Sequence, residues 1–283
     1  MNVFNEESIV RFGGIDQSDT LTIASVFDLF EDAAISHAEL LGVGREAMMQ
    51  SGNVWILSRL SVVMKVRPRY GEKIITRTWP RGSNKLFAIR DYDIHYSPDV
   101  SGNKDGPCSD NVLVRGRSAW LVVDIEKRRP LRPQTAVSIL PLNENMDALP
   151  GETQTGNNPP SSLTARDFSA VTPVLRRSCY SDIDYNGHVN NTRYIQWIQD
   201  LLEKEILEKA KLISLDINYL AEVKYGETIS LYITPINPTE TAPENLQSEQ
   251  APVQYAAAFA IEGRRESASE TVPVFRAEIK TAE

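Results

Sequence analysis

The 283-residue chain reads as α+β, two successive copies of one unit in which a long helix lies beside an antiparallel sheet. Three observations predict this. The order strand, helix, four strands occurs twice, on either side of a stretch poor in large apolar side chains. A short motif recurs at matching places, Arg69-Tyr70-Gly71-Glu72-Lys73-Ile74 and Lys224-Tyr225-Gly226-Glu227-Thr228-Ile229. Each predicted helix is apolar on one face, which it must bury on a sheet.

The first copy opens with a short strand over 8–15. From Thr22 the pattern turns helical: Ile23, Val26, Phe27, Phe30, Ala34 and Leu41 share a face, with Asp28, Glu31, Asp32 and Glu39 off it. Gly42 and Gly44 end this helix; no third glycine follows, so they do not form a nucleotide loop. Strands are predicted over 55–66, 73–79, 86–96 and 112–124, all rich in Val, Ile, Tyr and Trp. Residues 98–111 form a polar turn, and Lys127-Arg128-Arg129-Pro130-Leu131-Arg132-Pro133 a basic one. Domain limits are set at 1–142 and 170–283, with a Gly/Pro/Ser/Asn/Thr-rich linker over 143–169. The second copy has a strand over 174–181, a helix over 190–209, and strands over 213–223, 228–235, 253–261 and 272–280. A Pro/Glu/Gln-rich loop spans 237–252. A sheet curling around each helix would leave an apolar tunnel beside it, and pairing the two sheets edge to edge would leave fewer exposed edges.

Composition narrows the function. Hydrophobic residues at 41% and charged residues at 24% fit a globular protein. No apolar run reaches membrane-spanning length, and the acidic start Met-Asn-Val-Phe-Asn-Glu-Glu resembles neither a signal peptide nor a transit peptide. A net charge of −8 argues against nucleic acid as a partner. Cys108 and Cys179 form no framework and lack an activating context, so a reducing, cytoplasmic setting is expected. Asn190-Asn191-Thr192 matches a glycosylation sequon and is read as coincidence.

Residues 182–198 concentrate the chemistry. Asp182, Asp184, Asn186 and His188 alternate just before a helix whose apolar face is Tyr194, Trp197, Ile198, Leu201 and Leu202. Asn190 or Asn191 is placed to cap that helix. Its N-terminus carries unpaired N–H groups and a partial positive charge, suited to a developing oxyanion. His37 and His95 are read as structural or solvated. Asp182, Asp184 and His188 leave a metal reading open, weakened because no further His or Cys stands at ligand spacing.

Superposing the copies assigns the chemistry to the second. Asp184, Asn186 and His188 fall opposite Asp16, Ser18 and Thr20, and Glu222 falls opposite Arg67. Glu222 ends an apolar-patterned strand. It is either an exposed strand-end carboxylate or, facing a cavity, a general base whose pKa burial raises.

The run Asp182-Ile183-Asp184-Tyr185-Asn186-Gly187-His188-Val189-Asn190-Asn191, followed by Tyr219-Leu220-Ala221-Glu222-Val223-Lys224-Tyr225-Gly226-Glu227, resembles the acyl-ACP thioesterase family. Trp55 with its strand, Arg115-Gly116-Arg117-Ser118-Ala119-Trp120 and the Arg-Arg-Pro-Leu-Arg-Pro turn extend the resemblance over nearly the whole chain. It implies two tandem hot-dog domains and release of fatty acid from acyl carrier protein, with no cofactor. The family's catalytic Asp, Asn, His and Glu fall on Asp184, Asn186, His188 and Glu222. Plant members carry Cys directly after that Glu; here Val223 excludes a Cys–His scheme through that position. Hydrolysis by activated water is expected. Glu222 takes the proton, Asn186 and His188 position water or carbonyl, Asp184 orients His188, and N–H groups near 188–190 hold the oxyanion.

Phe27, Phe30, Trp55, Asn190 and Asn191 are assigned to substrate binding, with Phe27, Phe30 and the strand after Trp55 expected to set the depth of the acyl tunnel. The acidic carrier is expected to dock on a basic run over 65–90, with Arg77, Arg81 and Lys85 foremost; the competing reading is a solvated sheet face. The chain is expected to act as a monomer of paired hot-dogs or as a homodimer, with no membrane span. The alternatives are an acyl-CoA thioesterase and a non-catalytic acyl-thioester-binding module.

Overall fold

Both apolar helix faces are buried against a single antiparallel sheet of eleven strands. The computed structural model describes residues 2–98, 112–137, 140–141, 143, 145–149, 159–238, 254–266 and 270–283. Cys108, most of the 98–111 turn, part of the linker and most of the 237–252 loop lie outside them.

The first half comprises β1 (Phe4–Ile9), α1 (Ile23–Leu40), α2 (Arg45–Gln50), β2 (Asn53–Met64), β3 (Lys73–Asn84), β4 (Phe87–Tyr96), β5 (Val112–Asp124), β6 (Arg129–Leu131) and α3 (Pro133–Ala136). The second comprises β7 (Val174–Arg177), α4 (Asn191–Asp200), α5 (Lys204–Lys209), β8 (Leu212–Tyr219), β9 (Thr228–Pro235), β10 (Ala257–Glu266) and β11 (Thr271–Ala282). The sheet runs β1-β3-β4-β5-β2-β8-β11-β10-β9-β7, with β6 on β5. The halves join at β2 and β8, in register from Arg59↔Asn218 to Met64↔Ile213.

Thr22 caps α1 by accepting from Ser25 N at 3.1 Å, and Asn190 caps α4 by accepting from Thr192 N at 2.7 Å. The helices pack on each other, and Gln199 Oε1 accepts from Ala24 N at 2.9 Å. Phe27, Phe30 and Tyr92 therefore share one core with Trp197, Ile198 and Phe275. Gly116 lets α1 approach β5, since a Cβ there would come within 2.4 Å of the Phe30 ring.

The repeated turn is the same in both halves. Gly71 and Gly226 have φ of 80° and 81°, a left-handed conformation that favours glycine. Glu72 accepts from Arg69 N, and Glu227 from Lys224 N, each at 2.7 Å.

Several boundaries differ from the sequence reading, among them β3, which runs on to Asn84, and β7, which stops at Arg177. The first strand is Phe4–Ile9, not 8–15: Glu6 and Ser8 face inward on this edge strand, while Ile9 and Phe12 are exposed, reversing the usual pattern. The helix expected over 190–209 breaks at 201–203, where the chain turns so that Lys211 N can reach Ala282 O at 2.9 Å. β8 ends at Tyr219, not 223, because Leu220 N and Ala221 N both turn to Val274 O. β10 continues to Glu266 because Glu262 bonds Arg264 and Arg276, each at 2.6 Å, so its charges are paired within the sheet.

The linker does not hang free. Asn218 binds it through Leu163 N at 2.7 Å and Ser161 O at 3.1 Å, Arg59 donates to Pro160 O, and Phe168 is buried. Further upstream, Asp147 accepts from Arg81 and Arg117.

Candidate active site

The site begins in the loop before α4. Asp184 closes it, its Oδ1 accepting from Asn186 N at 2.8 Å and His188 N at 3.3 Å, while its own N–H donates to His188 O at 2.8 Å. Asp16 builds the same loop in the first half, accepting from Ser18 N at 2.9 Å and Thr20 N at 3.4 Å. This architecture is inherited by both copies. What the copies do with it differs.

In the first half Asp16 pairs with Arg67, whose other contact is Leu207 O, so the constellation is closed as an ion pair. In the second half the positions of Asp16 and Arg67 carry Asp184 and Glu222, and His188 stands where the first half has Thr20. Val189 N donates to Val223 O at 2.8 Å, tying the two segments together, and His188 Nε2 stands 3.1 Å from Glu222 Oε2. Arg265 donates to the Glu222 carbonyl at 2.9 Å and fixes its backbone.

The four expected residues thus come together, with altered roles. Asp184 holds the Asn186 amide (3.2 Å) and the backbone; the imidazole's partner is Glu222, not Asp184. Glu222 lies three residues beyond the end of β8, and its side chain is 60% exposed rather than buried. The N–H groups of residues 188–190 are already bonded, to Asp184 Oδ1, Val223 O and Asp182 O. The next N–H, that of Asn191 at the first position of α4, has no partner among the described residues. Asp182 is buried and accepts from Cys179 N at 2.7 Å, which removes it from any ligand set with Asp184 and His188.

A narrow cavity opens between the halves beside this helix start. Phe27, Phe30 and Glu31 line it from α1, Leu57 and Leu60 from β2, Tyr92 from β4, Ser118 and Trp120 from β5, and Asn191 and Thr192 from α4. Of the residues assigned to substrate binding, Phe27, Phe30 and Asn191 line this cavity. Asn190 is not on the wall; it caps α4. Trp55 is not there either: its indole donates to Val43 O at 2.9 Å within a separate core under α2.

Glu31 is the residue that sequence reasoning misses. Burial pushes its carboxyl up to about 7, against a hydrogen bond from Asn191, with Asp28, Asp32 and Asp184 raising it further. Burial likewise raises Asp28, and Tyr219 well above the ordinary phenol range, with Glu31 adding to the latter. The available signal is position: Glu31 lies four residues after Phe27 and beside Phe30, on the border of the apolar stripe.

Two of the three expected docking groups, Arg77 and Arg81, are engaged elsewhere. Arg77 forms a two-pronged pair with Asp93 at 2.7 and 2.6 Å. Arg81 is buried and bonds Asp147 at 3.0 Å, and Arg90 is buried and donates to His37 Nδ1. Lys85 is exposed. His95 is buried beside Asp93. Cys179 is exposed and unpaired in any disulfide.

Comparison with known proteins agrees with this architecture. Residues 1–137 match the acyl-ACP thioesterase N-terminal domain and residues 174–265 the acyl-ACP thioesterase C-terminal domain. A palmitoyl-acyl carrier protein thioesterase of Gossypium hirsutum is 28% identical over 230 residues, covering 78% of this chain and 52% of that protein. An oleoyl-acyl carrier protein thioesterase of Arabidopsis thaliana is 22% identical over 82% of this chain and 63% of its own length. The chain therefore spans about half to two thirds of the length of such curated relatives. An acyl-ACP thioesterase structure from Bacteroides thetaiotaomicron superposes with a TM-score of 0.74 at 21% identity, covering 99% of this chain and 98% of that one. The 12:0-ACP thioesterase of Umbellularia californica gives 0.69 at 16% identity, covering 99% and 94%. The fold is the tandem hot-dog, and the chain belongs to the acyl-ACP thioesterase family.

Proposed function

We propose that the protein hydrolyses acyl-acyl carrier protein thioesters by activated water and releases free fatty acid in fatty acid biosynthesis. The observation that carries this reading is the His188–Glu222 pair, 3.1 Å apart, just before the helix whose first residues, Asn191 and Thr192, line a narrow, mostly apolar cleft in a chain of this family. The catalytic unit is residues 170–283; the first unit, 1–142, supplies cavity wall and scaffold through the 143–169 linker. Glu222 takes the proton of the attacking water, with His188 bridging carboxylate and substrate. Asn186, held by Asp184, orients water or carbonyl. The oxyanion is received by the Asn191 N–H, aided by the partial positive charge of the α4 N-terminus. The proton then goes to the departing carrier thiolate.

Carrier docking belongs to the rim of this site. Arg176, Arg177 and Lys224 are exposed, and Lys224 bridges directly to His188 through the backbone. An acidic partner is attracted there despite the chain's net charge of −8. A reducing compartment, the cytoplasm, suits a chain with only two cysteines. No helix among the described residues is long and apolar enough to cross a membrane. A monomer of paired hot-dogs or a homodimer is consistent with one sheet shared by both halves.

The test is fatty acid release from a ladder of acyl-ACPs, with acyl-CoAs of equal length in parallel, by wild type and Glu222→Ala. Release from acyl-ACP that collapses in the variant supports the proposal. Release mainly from acyl-CoA changes the carrier, and tight binding without release makes the site a receptor.

A further inference from the structure

Resting on the hydrolase reading above, we propose that Glu31 makes this site select acyl chains that carry a hydroxyl near the thioester, of the 3-hydroxyacyl class, over plain saturated chains. The argument starts from what surrounds the carboxyl. Glu31 comes from the first half and projects into the cleft among Phe27, Phe30, Leu57 and Leu60. Its one recorded hydrogen bond is from Asn191 Nδ2, at 3.5 Å, the outer limit for such a bond. The charged groups acting on it, Asp28, Asp32 and Asp184, are all acidic, and no ion pair of Glu31 occurs among the described residues. The carboxyl is thus neither neutralised nor well bonded.

The other polar atoms of the cleft are different. Tyr92 OH and Ser118 Oγ bond each other at 2.9 Å, and the Trp120 indole donates to Ser118 Oγ at 2.7 Å. That part of the wall is satisfied internally and presents apolar surface. The under-bonded group is Glu31, at the end of the cleft where Asn191 begins α4, three residues after His188. A saturated chain entering here would cover the carboxyl with methylenes and leave it without water or partner. A chain hydroxyl is both donor and acceptor, so it serves the carboxylate and the carboxylic acid alike, whereas a keto group serves only the acid. Placement beside Asn191 puts that oxygen near the thioester end of the chain. A site built around such a contact discriminates against the analogue lacking it.

The experiment compares kcat/KM for 3-hydroxyacyl-ACPs and saturated acyl-ACPs of matched length, with wild type, Glu31→Gln and Glu31→Leu. In parallel, the thermal shift induced by the free 3-hydroxy and saturated acids is read on the same proteins. Wild type is expected to favour the hydroxylated substrate by about 10- to 100-fold. Glu31→Gln, which keeps both donor and acceptor, retains most of the preference; Glu31→Leu abolishes or reverses it and gains on saturated chains. A wild-type preference for saturated chains overturns the proposal. So does a ratio unchanged in a folded Glu31→Leu protein, which would make Glu31 only an acidic neighbour of the α4 N-terminus. If no thioester is hydrolysed, the hydrolase reading fails, while a 3-hydroxy-specific thermal shift that disappears in Glu31→Leu still supports the selectivity and its absence overturns it.

Discussion

Replacing Glu31 by Gln should stabilise the protein in a pH-dependent way. Burial raises this carboxyl from 4.5 to about 7 in the folded chain. Between those values the folded state holds a proton that the unfolded chain has released, so this group's contribution falls as pH rises. Below pH 4.5 both states are protonated and Gln mimics the acid, so the variant and wild type differ little. At about 1.4 kcal/mol for each tenfold change in acidity, the full difference is about 3 kcal/mol, and water reaching the cleft lowers it to about 2–3 kcal/mol. Glu31→Gln should therefore gain on wild type progressively from pH 4.5 to about 7 and hold that gain above it. Urea unfolding of both proteins at matched pH gives the difference directly, with the titrations of groups not coupled to Glu31 cancelling. A difference that is flat across this window, or that favours wild type at high pH, refutes the account of a carboxyl destabilised by burial among acidic neighbours.

Other outcomes follow from the same geometry. Glu222→Gln and His188→Ala should each lower kcat by about 10²–10⁴ in single-turnover assays, with melting temperatures little changed because both side chains are partly exposed. Asp16→Asn, which opens the first-half pair with Arg67, should cost about 1–3 kcal/mol in denaturant unfolding and leave kcat intact. Gly116→Ala should push the Phe30 ring into the cleft, costing about 1–3 kcal/mol and shifting the chain-length profile of released acids shorter. Lys224→Glu should raise KM for acyl-ACP several-fold at low salt, converging on wild type at high salt, whereas Arg77→Glu should act through stability by breaking its pair with Asp93.

The parts of the molecule legible in the sequence were those fixed by local chemistry. The Tyr-Gly-Glu turns require glycine at positive φ and a glutamate three residues after the N–H it accepts from, so their recurrence reported the duplication directly. The one-sided helices and the Asp184-to-His188 loop were legible for the same reason. What escaped depends on partners distant in the chain. Nothing near Leu201 breaks a helix; the break at 201–203 serves the return to β11. Arg77 and Arg81 look like free cations until β4 and the linker supply Asp93 and Asp147. Trp55 looks like cavity wall until the α1–α2 connection supplies Val43 O. Glu31 looks like solvent-facing charge until the second half closes over it.

The seam between β2 and β8 also bears on how the chain is made. These strands pair from Arg59↔Asn218 to Met64↔Ile213, so the last residue of β2 leaves the ribosome well over a hundred residues before its partner. At synthesis rates of about 5–20 residues per second, this edge waits on the order of ten seconds with its ladder groups unmatched. During that interval Leu60, Val62 and Met64 stand on a sticky border that can recruit β2 of a neighbouring nascent chain. Yield of this protein in a cell is accordingly tied to translation speed and holdase supply, even though the finished sheet has no gap at its centre.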